Sequence, residues 1–211
     1  MAITVTIQPD SSTSKDIVIN TNAPDTNYEG NGTLALENSV TGGYKAATLI
    51  DFPSIINIPS KAKILRSFLT LNCKYANAPD YLEIMTFEIL RNWVANQATW
   101  NAYSTGYNWT TAGVGGDGTD ATLTSYWGGI RTTVALGSCN VELHPYTAER
   151  RIKGLNYGWL LKDLGAAVAG STIIQFDSSD NATPANRPKL IITYEPYHKI
   201  FPMSAGLGQV R

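Results

Sequence analysis

The sequence contains few of the residues that carry most enzyme and metal chemistry. Two cysteines and two histidines occur among 211 residues, and charged residues make up only 16%. No His-x-x-x-His or Cys-x-x-Cys pair is present, which argues against a transition-metal site. No Gly-x-Ser-x-Gly motif and no phosphate-binding Gly-Lys-Ser/Thr loop is present either. We therefore predict a protein that is not an enzyme and that has no cofactor.

Charge and hydropathy exclude two further classes of partner. Sixteen basic residues against seventeen acidic ones leave a net charge of -1, so no basic surface for nucleic acid is expected. No apolar run approaches the roughly 18 residues that span a membrane. The chain begins Met-Ala-Ile-Thr-Val-Thr-Ile, an alternation typical of a strand and not of a signal peptide. Either the protein is not secreted by that route or a leader has been removed, and an initiator Met followed directly by a strand favours the first alternative.

Short alternating segments separated by turns rich in Gly, Pro, Asn and Asp predict an all-β fold. Because strands do not alternate with helices, we predict a two-sheet antiparallel jelly-roll sandwich. One short helix is predicted over residues 148–153, with Thr147 as its cap and Gly154 at its end. The segment 33–37 suits a strand or a helix. The predicted strands are residues 3–8, 15–20, 33–37, 46–52, 63–75, 81–91, 131–136, 139–144, 158–163, 171–177 and 188–195.

The two cysteines, Cys73 and Cys139, both fall on apolar faces of predicted strands. They are too few for a disulfide scaffold. Two buried free thiols and a single cross-sheet bridge are the alternatives.

The predicted sandwich occupies residues 1–195 and contains a long irregular stretch, residues 101–131. Five aromatic residues in this stretch are candidate contacts for a ligand or partner: Tyr103, Tyr107, Trp109, Tyr126 and Trp127. Such rings pack over the end of a sandwich, anchor a protein interface or stack on sugars, and all three alternatives stay open here.

Residues 196–211 follow the last predicted strand and are predicted to form a C-terminal arm. The arm is apolar and contains two prolines, so we expect it to assemble against another subunit or to fold back over its own domain. Its candidate assembly residues are Tyr197, Ile200, Phe201, Met203 and Leu207.

Two pairs of aspartates lie in loops, Asp117 with Asp120 and Asp177 with Asp180. A glycosidase needs two facing carboxyls, which spacing alone does not establish. Turn-forming aspartates that bind their own backbone are the simplest interpretation, and a structural calcium ion is the alternative.

Several segments match one family in order and spacing. Trp93, followed by Ala98-Thr99-Trp100, resembles the Trp-x4-(Ala/Val)-Thr-Trp signature of DNRLRE domains, also described as disaggregatase-related or carbohydrate-binding-module-like domains. Further segments that resemble motifs of this family are residues 16–19, 24–28, 48–52, 58–71, 156–161, 176–179 and 187–194. The structural motif residues carried over are Asn27, Tyr28, Phe52, Trp93, Thr99, Trp100, Arg187 and Pro188.

The resemblance implies a jelly-roll sandwich without catalytic chemistry. Members of the family occur as polysaccharide-binding modules of cell-surface or secreted proteins and as virion proteins of tailed bacteriophages. We expect a virion decoration protein that acts through protein–protein contacts, and the alternative is a carbohydrate-binding module on an extracellular surface. Arg187 is expected to anchor its corner by pairing with Asp177 or Asp180.

Overall fold

The computed structural model of the chain describes residues 1–10, 12–39, 43–77, 82–125, 128–132, 135–164 and 171–196. These residues form mostly β-strands, and the one α-helix among them is α1 (Pro145–Ile152). No helix in these ranges has the length and hydropathy that crossing a membrane would need. In chain order the strands are β1 (Ile3–Ile7), β2 (Lys15–Asn20), β3 (Thr33–Ser39), β4 (Lys45–Asp51), β5 (Lys63–Asn77), β6 (Leu82–Glu88), β7 (Ala102–Ser104), β8 (Tyr107–Asn108), β9 (Gly129–Thr132), β10 (Gly137–Leu143), β11 (Trp159–Asp163), β12 (Ser171–Asp177) and β13 (Lys189–Glu195).

Eleven of these strands form one curled antiparallel sheet. Its order is β1-β13-β5-β12-β3-β4-β11-β6-β9, with β10 paired to β5 and β2 paired to β4. The short strands β7 and β8 form a separate hairpin. The predicted all-β class is therefore confirmed, in the form of a curled antiparallel sheet with a small second sheet.

Strand β5 joins the two halves of the sheet because one of its edges pairs with two different strands along its length. It pairs with β13 up to Thr70 and with β12 from Cys73 onward, and each pairing contains a register shift. At the first shift Leu65 is the extra residue and is 40% exposed, while Ile64 and Leu69 are both buried. Such a bulge lets residues of opposite parity face the same core.

Two apolar clusters lie on opposite faces of the sheet. The inner core collects side chains from strands far apart in the sheet order, including Leu69 of β5 and Leu161 of β11, which is why the sheet curls over it. The outer core lies on the other face of β2, β4, β6 and β11 and contains Leu49 and Leu160. Since Leu49 belongs to the outer core and Ile50 to the inner core, β4 is buried on both faces.

Helix α1 begins earlier than predicted. Pro145 occupies its first turn, where the missing N–H is harmless, and the Nδ1 atom of His144 accepts a hydrogen bond from the backbone N–H of Tyr146 at 3.2 Å. The predicted cap, Thr147, lies inside the helix and is buried. Gly154 ends the helical segment as predicted, with φ of +69° and its N–H donated to the carbonyl of Arg151.

Most predicted strands are found within two residues of their expected ends. The segment 33–37, predicted as a strand or a helix, is part of strand β3. The hairpin β7–β8 was not predicted, and it lies inside the stretch 101–131 that was expected to be irregular. Cys73 is buried and Cys139 is half-buried, and both thiols are free, in agreement with the first of the two alternatives and not with a cross-sheet bridge.

Candidate functional site

The segment 89–123 covers the outer core and carries three of the five rings that were predicted as contacts. Tyr103 and Tyr107 lie on the β7–β8 hairpin with their ring centroids 5.9 Å apart. Tyr107 is 62% exposed. Val94, which is 36% exposed, donates its backbone N–H to the carbonyl of Tyr103 at 2.9 Å. Val94, Tyr103 and Tyr107 are called the aromatic rim below.

The half-buried ring of Tyr103 connects the aromatic rim to the outer core. Its centroid lies 5.5 Å from that of Trp109. The guanidinium carbon of Arg91 lies 5.5 Å from the same Tyr103 ring, within reach of a cation–π interaction. Tyr103 thus contacts both a buried ring and a cation.

Trp109 is a core residue and not a contact residue. Its side chain is only 4% exposed, and its Nε1–H donates to the carbonyl of Thr99 at 3.0 Å. The two remaining predicted rings, Tyr126 and Trp127, lie outside the described residues.

Side-chain hydrogen bonds hold the backbone that carries the aromatic rim. The Oγ1 atom of Thr99 accepts from the backbone N–H groups of Asn101 and Ala102. Asn27 donates both amide protons across the molecule, to the carbonyls of Ala95 and Ala98, each at 2.7 Å. These two motif residues replace the ladder hydrogen bonds that a loop lacks, so the segment is rigid without being a regular sheet.

The fully buried carboxylate of Asp120 organises the end of the segment. It accepts hydrogen bonds from the backbone N–H groups of Thr110, Thr111 and Gly116, and the Nε of Arg91 lies 3.4 Å away. Burial alone would raise the pKa of Asp120, but these N–H donors outweigh it and hold the pKa below its usual value. Asp120 therefore acts as an ionised structural anchor.

The other predicted carboxylates are also engaged by protein donors. Exposed Asp117 accepts from the backbone N–H groups of Leu123 and Thr124 and from the Thr124 hydroxyl, which lowers its pKa. Asp177 accepts from the side-chain amides of Asn72 and Asn181.

The structure does not gather these carboxylates into a cation site. The Asp180 carboxylate accepts a hydrogen bond from the Ser178 hydroxyl at 3.5 Å. Within the described ranges, no three His, Cys, Asp or Glu side chains come together as a metal-ligand set. The geometry of Asp117 is that of a turn-forming aspartate.

The remaining motif residues are placed in or against the two cores. Phe52 and Trp93 are each 1% exposed, and the Trp93 Nε1–H donates to the Tyr157 carbonyl at 2.8 Å. Tyr28 and Trp100 pack partly buried against the outer core. These rings hold the corner of the fold, and those of Phe52 and Trp93 present no open face.

The predicted carboxylate partner of Arg187 is wrong. Its Nε donates to the backbone carbonyl of Asn181 at 2.8 Å, while Asp177 lies 3.5 Å from the ammonium of Lys74. Pro188 is buried next to it. Arg187 still anchors the corner, because a guanidinium N–H satisfies an otherwise unpaired loop carbonyl as well as it would a carboxylate.

A cavity near Trp100 was not predicted from the sequence. Its volume is about 200 Å³, and Lys45, Lys162 and Trp100 belong to its wall. The sequence of β11 did contain a signal for this cavity, because Lys162 is a charged residue at the same parity as Leu160, on an apolar face of the strand. A lysine at such a position is either solvated at a strand end or retained for a ligand.

The predicted assembly residues Tyr197, Ile200, Phe201, Met203 and Leu207 lie outside the described residues. No family model matches the chain, and no curated protein matches it either.

Proposed function

We propose that this protein is a non-catalytic binding module that attaches to another protein through the aromatic rim. The observation that carries the proposal is the pair of rings of Tyr103 and Tyr107, 5.9 Å apart, with Tyr107 62% exposed. Tyrosine is enriched at the centres of protein interfaces because its ring buries much apolar area while its hydroxyl keeps a hydrogen-bond partner.

The rigidity of the aromatic rim supports this role. Tyr103 rests on Trp109, and the backbone beneath is fixed by Thr99 and Asn27. Because these groups are already ordered, little conformational entropy is lost when a partner binds. Arg91 lies beside the rings and adds a residue type that is frequent at interface centres.

We place this contact in the virion of a tailed bacteriophage, where the protein decorates the capsid or tail as one of several copies. This part of the proposal rests on the resemblance to DNRLRE domains, and so does a two-sheet jelly-roll form for the curled sheet. The corner built from Trp93, Thr99 and Trp100 supports the resemblance, because Trp93, Ala98 and Trp100 of its signature lie together against the outer core. We infer that assembly takes place in the host cytoplasm.

Particle-binding measurements with two tyrosine variants test the proposal. Mass spectrometry of purified virions should detect the chain, and Tyr107→Ser should reduce its occupancy at limiting concentration at least tenfold. Tyr75→Ser is the matched control, since Tyr75 is 47% exposed but lies on β5, and it should keep occupancy within twofold. Absence of the chain from the particles, or equal occupancy of the two variants, overturns the proposal.

The C-terminal arm, residues 196–211, is proposed as a second attachment. Deleting residues 197–211 should leave a folded chain, as judged by circular dichroism, that fails to assemble. Normal incorporation of the truncated chain would remove the arm from the proposal and leave the aromatic rim in it.

Attachment to polysaccharide is the second candidate function. The same exposed ring of Tyr107 favours it, because tyrosine faces also stack on the apolar faces of sugar rings. Binding of the purified protein to a panel of cell-surface polysaccharides, weakened by Tyr107→Ser and unchanged by Tyr75→Ser, would favour this alternative over a protein partner.

A further inference from the structure

Strand β1 lies at one end of the curled sheet and leaves one of its edges open. Among the described strands it pairs with β13 alone, so the backbone groups on its other edge have no strand partner there. Its sequence, Ile-Thr-Val-Thr-Ile, consists of residues that favour strands. Ile3, Thr4 and Thr6 are exposed. The strand therefore presents an edge with which a further strand can pair.

The other strands of the large sheet that have a single partner in the described part of the chain carry charge or are covered. Strand β9 contains Arg131 and β10 contains Glu142. Strand β2 is buried at five of its six residues. Natural edge strands avoid unwanted pairing by charge, proline or cover, whereas β1 contains no charged residue and no proline. An edge left in this state indicates that pairing there belongs to the assembled form of the protein.

A cavity of about 420 Å³ lies beside this edge. Consecutive residues of β1 belong to its wall, so the cavity follows the strand. Val5 and Ile7 line it and also pack, partly buried, against the inner core. Ile58 and Tyr194 extend the apolar wall, and the 3₁₀ turn Pro53–Asn57 contributes polar residues. A strand added at the edge would place alternate side chains over this cavity.

We propose that β1 pairs antiparallel with β1 of a second copy of this chain, about a two-fold axis at Val5. The sequence of β1 reads the same in both directions, which is the pattern that a two-fold antiparallel contact needs. Ile3 then lies opposite Ile7 of the partner subunit, and Thr4 lies opposite Thr6 of the partner subunit. Apolar side chains meet on the face with the cavity and hydroxyls meet on the outer face, and both kinds of cross-strand pair are favourable.

A second copy suits this edge better than residues 196–211 of the chain itself. That segment contains Pro202, which has no N–H to donate to a ladder, and Gly206 and Gly208, which weaken a strand. The inference does not depend on the proposed function, because no residue of the aromatic rim belongs to β1 or lines the cavity.

Sedimentation of the purified full chain over a range of concentrations tests the proposal. We expect a reversible dimer that dissociates in the micromolar range, because a contact centred on one five-residue strand is small. A chain that remains monomeric at about 500 μM, where such a dimer would be formed, overturns the proposal.

Paired charge variants locate the contact on β1. Thr4→Lys combined with Thr6→Lys places lysines opposite each other across the axis and should weaken the dimer at least tenfold. Ser138→Lys combined with Asn140→Lys is the matched control, since both residues are exposed at the same spacing on β10, and the dimer should stay within twofold. Melting curves establish that the variants are folded. Equal weakening by the two lysine pairs would overturn the proposal.

A charge-swap mixture tests the register. Chains with Thr4→Glu and Thr6→Glu should form a heterodimer with the β1 lysine variant, because each lysine then opposes a glutamate. A mixture that forms no heterodimer contradicts the register and overturns the proposal.

Variants in the C-terminal arm separate the two possible occupants of the edge. Phe201→Ser combined with Met203→Ser, in the full chain, should leave dimer affinity within twofold. A loss as large as that caused by the β1 lysine pair would mean that residues 196–211 occupy the edge, and the proposed pairing of β1 with β1 would be overturned.

Discussion

The guanidinium of Arg151 donates two hydrogen bonds to the carboxylate of Asp51, from Nε to Oδ1 at 2.7 Å and from Nη2 to Oδ2 at 3.0 Å. Arg151 lies in α1 and Asp51 is the last residue of β4, so this bidentate pair fastens the helix to the curled sheet. The two side chains are only 12% and 3% exposed. A second arginine of the helix, Arg150, donates from its Nε to Oε1 of Glu88 at the end of β6, while its Nη2 donates to the carbonyl of Leu155.

Arg151→Met should destabilise the fold by about 2 to 3 kcal/mol, because it leaves the Asp51 carboxylate buried without its main partner. Lys15 carries positive charge near Asp51, which keeps the loss at the lower end of the range for buried pairs. Urea unfolding at pH 7 measures the change. Arg66→Met is the matched control, since the Arg66–Glu142 pair spans 3.4 Å between side chains that are more than 60% exposed, and its loss should stay below about 1 kcal/mol. Equal losses would contradict the prediction.

The strands were predictable where alternation is strong, and the outer core shows why. Phe87, Ile89 and Trp93 share one parity, and all three belong to that core as the pattern indicates. The pattern could not reveal that a second core exists. The segment 89–123 covers this second core, and hydrogen bonds from residues as distant in sequence as Asn27 hold that segment in position.

The candidate site was only partly predictable, for local and long-range reasons. Strands of three and two residues, such as β7 and β8, are too short for a period, so the hairpin under Tyr103 and Tyr107 gave no signal. Trp109 and Tyr107 look alike in sequence, yet one is buried and the other exposed, because the fold of the whole segment decides which ring turns inward. The cavity beside Lys162 depends on β4 and β11 pairing across more than a hundred residues.

Asp120→Asn should lower stability at pH 7 by about 2 kcal/mol, because an amide oxygen accepts fewer and weaker hydrogen bonds than a buried carboxylate. The pKa of Asp120 is depressed in the folded state, so its contribution is present above the unfolded value of about 4 and is lost as the pH falls through the lower folded value. Urea unfolding of both proteins at pH 7 and at pH 2.5 should show the difference shrinking in acid. A difference that is equal at the two pH values would contradict this prediction.

Two glycines with nearly the same φ allow the cost of backbone strain to be measured separately from the cost of a steric clash. Gly113 and Gly118 have φ of +72° and +71°, but a Cβ at Gly113 would lie 2.5 Å from Cζ2 of Trp100, whereas Gly118 faces open space. Gly118→Ala should cost about 1 kcal/mol, the usual penalty for a left-handed non-glycine residue. Gly113→Ala should cost at least about 2 kcal/mol and shift the indole signal of Trp100. Thermal unfolding and a ¹H–¹⁵N spectrum provide the measurements, and equal losses without an indole shift would show that Trp100 does not pack on Gly113.

Lys162→Met should raise stability at pH 7 by about 1 to 3 kcal/mol. The pKa of Lys162 is about 8 in the folded state against 10.5 when unfolded, so folding the charged form is unfavourable. Below pH 8 both states hold the proton and the penalty is complete. Between pH 8 and 10.5 the unfolded state holds more protons, so the penalty declines as the pH rises.

The stabilising effect of the variant should therefore be largest at pH 7 and small at pH 10.5, as urea unfolding at the two pH values would measure. A variant that is less stable than the natural chain at pH 7 would contradict the prediction and would mean that the ammonium contributes to the stability of the fold.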